Sequence, residues 1–214
     1  MNFFPWQYKE LFLLNLRKYN HKANILYEKE RLDFSSDIDF FSCYENFQTD
    51  CNNCESTFKS TFLKLLAQIQ IHKSWNFMDC GCGLGLPLFL ASSSFYHVYG
   101  VEILQDVSLI AKQNLDRLNV SNYTIINSDI NSVSDEIVNK INVFYLFNPF
   151  LNTIFSKFIQ KIANSVANAD REIWIIYVNA TQEDKMNIYA SLFNKEIVLN
   201  DFRKIIFYHH LPKL

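Results

Sequence analysis

Three glycines within five positions, Gly81, Gly83 and Gly85, take up most of the supply of a chain that has four in 214 residues. They lie in Phe77-Met-Asp-Cys-Gly-Cys-Gly-Leu-Gly-Leu-Pro-Leu-Phe89, between a short apolar run ending at Cys80 and a helical pattern opening at Pro87. A glycine-rich turn between strand and helix lets the backbone reach positive φ and removes the Cβ atoms that would hold a ligand away. The chain is therefore expected to fold around a strand–turn–helix that brings main-chain N–H groups to a bound molecule.

The rest of the pattern supports that frame. Strands are expected at 75–80, 97–102, 123–127, 141–147 and 172–178, and helices at 87–94, 105–118, 135–140, 153–167 and 183–193. Strands alternating with helices imply an α/β protein with a mostly parallel sheet covered on both faces. The last two strands, 197–199 and 204–209, leave no room for a crossover helix and must form an antiparallel hairpin. Before residue 73 the reading differs: a helical stretch over 5–32, a long polar and aromatic loop over 33–54, and a helix over 55–71. Residues 1–72 are thus expected to form a helical extension carrying a lid, and residues 73–214 the ligand-binding domain.

Composition excludes several classes. With 20 basic and 22 acidic residues, a net charge of -2 and no block of either sign, neither nucleic acid nor an anionic membrane is favoured as a partner. A small molecule or a protein is the default substrate. No run approaches the length of a membrane span, and the N-terminus lacks the plan of a secretory leader, so a cytoplasmic protein is expected. The five cysteines are an odd count in a chain large enough to fold without disulfides. Cys51 and Cys54 have the spacing of half a zinc site, but no second pair completes it, and no metal is expected.

Around the loop, the residue types narrow the ligand. In the dinucleotide fingerprint G-x-G-x-x-G the third glycine comes one position later, where this chain has Leu86. Asp79, just before the loop, would repel a pyrophosphate and suits a cationic amine. Glu102, about twenty residues on at the end of a strand, can accept from ribose hydroxyls. Asp129 lies past the third strand on the same edge, where it can meet an adenine amino group while Ile130 packs on the base.

These stretches, Asp79-Cys-Gly-Cys-Gly-Leu-Gly85, Gly100-Val-Glu102 and Asn127-Ser-Asp129, resemble the cofactor motifs of class I S-adenosylmethionine-dependent methyltransferases. The resemblance runs from about Trp75 to the end, and Ala111, Asn114 and Leu115 also suit the family pattern. It implies a Rossmann-like seven-stranded sheet with an antiparallel last strand, and S-adenosyl-L-methionine as cofactor. Asp79, Gly81, Gly83 and Gly85 would line the methionine part, Glu102 would hold the ribose and Asp129 with Ile130 would meet the adenine, with Cys82, Ile103 and Asn148 as further cofactor-binding residues.

A second informative stretch is Val143-Phe-Tyr-Leu-Phe-Asn-Pro-Phe150. A buried strand that ends in Asn148-Pro149-Phe150 places an amide and an aromatic ring at the carboxyl edge of the sheet, where open α/β folds bind ligands. The Asn148 oxygen would orient a nitrogen acceptor and Phe150 would stack on it. The motif resembles the Asn-Pro-Pro-aromatic signature of amino-group methyltransferases, short by one proline. It is closer to a group of small bacterial methyltransferases with Asn-Pro-Phe after strand four, in which Tyr-x-Asn-Pro after strand five is here Tyr177-Val-Asn-Ala180. Tyr44 in the lid is a further candidate for orienting substrate or cofactor. His209 and His210 point to opposite faces of the last strand, with no acidic partner visible in the sequence. Two other readings stay open: a nicotinamide-dependent oxidoreductase on a related sheet, and a methyltransferase-like binding module that has lost its chemistry.

Overall fold

The computed structural model of the chain describes residues 59–200 and 203–212. The helical stretch over 5–32, the lid over 33–54 with Tyr44, and the Cys51/Cys54 pair lie outside the described residues. Within them the elements run α1 (Lys59–Leu66), β1 (Asn76–Cys80), α2 (Leu86–Ser92), β2 (His97–Glu102), α3 (Gln105–Arg117), β3 (Tyr123–Asn127), α4 (Asp135–Val138), β4 (Val143–Phe147), α5 (Asn152–Asn168), β5 (Ile173–Val178), β6 (Asn194–Asn200) and β7 (Arg203–His210). Short 3₁₀ turns span Ile130–Ser132 and Glu183–Tyr189.

All seven strands join one sheet in the order β3-β2-β1-β4-β5-β7-β6. The first five are mutually parallel, and β7 runs antiparallel between β5 and β6. The parallel part is apolar where a doubly covered strand must be: Val143–Leu146 of β4 are all buried. On one face α5 lays Phe155, Phe158, Ile159 and Ile162 against the sheet, with Phe155 stacked on Tyr177 of β5 at 5.1 Å. On the other, α1 inserts Phe62 between Phe77 of β1 and Tyr145 of β4, edge-on to both at 5.9 and 5.1 Å. Fully burying such a ring is worth roughly 2–3 kcal/mol, so Phe62 anchors α1 to the sheet.

Three expectations need correction. The segment over 183–193 is a 3₁₀ turn followed by irregular chain; Ile188 is 75% exposed, and too few apolar side chains remain to make a helical face. β6 begins at Asn194, three residues earlier than the apolar pattern indicated, because β7 pairs with it through the polar residues Asn194, Lys195 and Glu196. Both terminal histidines do have acidic partners: His209 Nε2 lies 2.9 Å from Glu172 with its ring stacked on Trp174, and His210 Nε2 lies 3.1 Å from Asp170. Those partners come from the α5–β5 junction, nearly forty residues away, out of reach of any local pattern.

Candidate active site

Strand order reverses between β1 and β4, so the connections leaving their carboxyl ends diverge and open a crevice, the expected ligand position in such a sheet. The glycine loop leaves β1 there. Gly81, Gly83 and Gly85 have φ of 97°, 50° and 89°, all left-handed. The loop is pinned at its start, where the N–H groups of Gly81 and Cys82 both donate to Val101 O at 2.9 Å. From the far side, buried Asn114 of α3 donates to Leu84 O at 3.1 Å.

Gly81 is also required by the protein's own packing: a Cβ there would lie 2.8 Å from Pro149 Cβ, whereas one on Gly85 would make ordinary contact with Ala111 Cβ on α3 at 3.4 Å. The glycine loop and Asn148-Pro149-Phe150, far apart in sequence, therefore touch. Gly100 serves the same end from β2: its missing Cβ makes room for Cys82 Sγ and Leu88.

Glu102 reaches back under the loop. Its Oε2 accepts from Gly83 N–H at 3.1 Å and its Oε1 from Leu104 N–H at 2.9 Å, leaving further lone pairs on each oxygen. Burial pushes its carboxyl above the usual range, and these N–H groups push back. The backbone at this point is held by Asn127, whose side-chain amide donates to Glu102 O at 2.9 Å and Ile103 O at 3.0 Å. That clamp was missed in the sequence, although an Asn ending a strand is the available signal.

Asp79 is 3% exposed, and its carboxylate accepts no hydrogen bond from any described residue. Burial raises its pKa well above the ordinary carboxylate value, and the neighbouring Glu102 adds to the rise. An unpaired buried carboxylate is costly unless a donor or cation arrives. Here the residues fit the cofactor: an amine beside Asp79 and hydroxyls beside Glu102 would supply what the two lack.

The adenine candidates are placed on the same edge. Asp129 caps the Ile130–Ser132 turn, with Oδ1 accepting from Asn131 N–H at 2.7 Å, while Oδ2 accepts from no described residue. Lys161 of α5 fixes this turn from outside by donating to Asn131 O at 2.9 Å. Ile103 is half-buried, whereas Ile130 is buried in the core cluster.

At the end of β4, Asn148 adopts φ of 41° and is 8% exposed. Such a conformation in a non-glycine residue marks a position that its surroundings hold in place. Its Oδ1 accepts from Thr181 Oγ1 at 2.7 Å and from the Tyr177 hydroxyl at 3.4 Å, and that hydroxyl in turn accepts from Gln182 N–H at 3.1 Å. The oxygen expected to receive an incoming amine is thus engaged by two hydroxyls from β5 and the segment after it. Phe150 differs from its expectation as well: it is 5% exposed and packs edge-on to Phe158 at 5.8 Å, a core ring rather than an open platform.

A family model described as a methyltransferase domain matches residues 71–209, about two thirds of the chain. The chain belongs to that family. The methyltransferase domain also shares its fold with solved structures at low identity. A SAM-dependent O-methyltransferase from Thermotoga maritima is 13% identical, with a TM-score of 0.58 over 76% of this chain and 69% of that one. An rRNA methylase from Streptococcus thermophilus is 14% identical, with a TM-score of 0.56 over 75% and 99%. A Streptococcus mutans protein solved in complex with SAH is 15% identical, with a TM-score of 0.52 over 74% and 100%. No curated protein sequence matches the chain. The chain thus carries an enzyme domain of methyl transfer, and its family sets aside the oxidoreductase reading.

Proposed function

We propose that the protein transfers the methyl group of S-adenosylmethionine to a nitrogen of a small molecule or a protein side chain, and that it belongs with the small bacterial methyltransferases carrying Asn-Pro-Phe after strand four. When bound, the cofactor supplies an electrophilic methyl on a sulfonium. The chain's part is to hold both reactants. Asp79 and the loop around Gly81, Cys82, Gly83 and Gly85 take the amino-acid end, Glu102 and Ile103 the ribose, and Asp129 with Ile130 nearby the adenine. Asn148, held by Thr181 and Tyr177, stands beside the loop through the Gly81–Pro149 contact and orients the acceptor. Methyl transfer is an in-line displacement, so positioning supplies much of the rate. Tyr44 would orient substrate or cofactor through its hydroxyl.

Unpaired, buried Asp79 beside Glu102 carries the cofactor assignment, because it asks for a cationic ligand rather than a phosphate. An RNA acceptor is a second reading: one solved structure of similar fold is a tRNA (m1A58) methyltransferase from Aquifex aeolicus. The balanced charge, with no basic block, favours the smaller acceptor. Among the described residues no helix is long and apolar enough to cross a membrane, in keeping with a cytoplasmic enzyme.

Isothermal titration tests the assignment. S-adenosylmethionine and S-adenosylhomocysteine are expected to saturate the protein while NAD does not, and Glu102→Ala is expected to weaken both by about 10- to 100-fold, the loss of one or two hydrogen bonds to a charged group. Unchanged affinity in that variant would remove Glu102 from the site.

A further inference from the structure

Asp79 and Glu102 enter the crevice from adjacent parallel strands. Asp79 is in register with Gly100, two residues before Glu102, so both side chains lie on the same side of the sheet. Their surroundings are unequal. Glu102 is steadied by the N–H groups of Gly83 and Leu104, while Asp79 has no donor among the described residues. Among the described residues the other groups on that side offer no cation: Tyr145 is the register partner of Asp79 on β4 and α1 presents Phe62, while Cys80, next in the chain, points to the opposite face. Burial and Asp79 both push the Cys80 thiol upward, so it stays neutral beside the pair. Two carboxylates so placed, with only one of them solvated by backbone dipoles, disfavour each other's ionisation.

We propose that the ligand-free protein keeps a proton on the Asp79–Glu102 pair, and that the ammonium of the cofactor's amino-acid part displaces it, so that cofactor binding releases a proton. The inference rests on the cofactor reading above. The exchange balances: a neutral carboxyl and a ligand ammonium become a carboxylate–ammonium pair plus a proton in solution. Three consequences follow. Affinity rises with pH as long as the ligand amine stays charged. Donor and product release the same proton, since both carry the amine. A ligand that keeps the nucleoside but lacks the amine, 5′-methylthioadenosine, binds without releasing one.

The test is calorimetric. Full-length protein is titrated with S-adenosylhomocysteine at pH about 6.5, below the ordinary α-amino range of about 7.7–8.0, in two buffers of different ionisation enthalpy. The difference in apparent heat gives the protons exchanged. Release approaching about one proton per site, absent with 5′-methylthioadenosine and absent in Asp79→Asn, is the expected result. The wild-type measurement stands alone if the variant does not fold. Binding with no buffer dependence would overturn the inference and leave the cofactor reading intact. Undiminished release in Asp79→Asn would also overturn it, since the proton would then come from elsewhere. No binding of either compound would overturn both.

Discussion

Gly81 shows how much of this site hangs on single atoms. Its φ of 97° and the 2.8 Å approach of Pro149 to a would-be Cβ penalise any side chain twice. Gly81→Ala is expected to lose about 2–4 kcal/mol, combining left-handed strain with a clash against a rigid ring, and to show it as a lowered denaturant midpoint. Gly85→Ala meets Ala111 at only 3.4 Å and should lose less. A Gly81→Ala chain as stable as wild type would mean that the loop and Pro149 move apart freely. At this scale the sequence was most legible where residue type and φ are tied, as in the three loop glycines and in Glu102 closing its strand. It was least legible where one side chain serves another across the sheet. Thr181 and Tyr177 hold Asn148 from thirty residues away, and no spacing rule announces such a pair. Phe150 illustrates the limit in reverse: an aromatic at a ligand-binding edge and an aromatic under a helix look alike until the helix is placed.

The elements themselves were readable to within two residues through most of the domain, because a buried parallel strand and an amphipathic crossover helix have different apolar periods. Weak apolar signals are where the reading slipped, at β6 and at the 183–193 segment. The joints between elements carry their own signals, seldom visible in a local window. Arg171, between α5 and β5, is the strongest case. Its guanidinium donates to Ile141 O at 2.9 Å, Val138 O at 2.8 Å, Ala169 O at 3.0 Å and Ser165 O at 3.2 Å, capping the ends of α4 and α5 at once. Burial lowers its pKa to about 10, which leaves it charged at neutral pH and opposed to the negative ends of two helices. Arg171→Met keeps the apolar stem but leaves Ile141 O and Ala169 O unserved, and Val138 O and Ser165 O with only their backbone donors. It is expected to lose about 2–3 kcal/mol, with a melting temperature lower by roughly 2–4 °C for each kcal/mol. Cofactor affinity measured well below the melt should not change, since these groups lie at the opposite end of β4 from Asn148. A variant that melts normally but binds poorly would mean that the joint transmits to the site.

Across the whole molecule, one sheet both stabilises the chain and aims its ligand groups into the crevice beside β1 and β4, and the two tasks conflict at Asp79. A carboxyl whose folded pKa lies above its unfolded value holds more protons in the native state than in the unfolded one over the interval between the two. Its contribution to stability therefore falls as pH rises through that interval, opposite to a salt-bridged carboxylate. Other groups add slopes of their own, so the informative quantity is the difference between wild type and Asp79→Asn, in which the remaining slopes cancel. Ligand-free Asp79→Asn is expected to match wild type near pH 4 and to melt progressively higher than it as pH rises toward neutral. With saturating S-adenosylhomocysteine the order should invert, because the wild-type carboxylate then has its ammonium and the amide has none. Melting curves over pH, with and without ligand, read both effects in one experiment. Parallel curves for the two proteins would mean that Asp79 ionises without cost in the ligand-free fold, and that the crevice needs no cation to settle it.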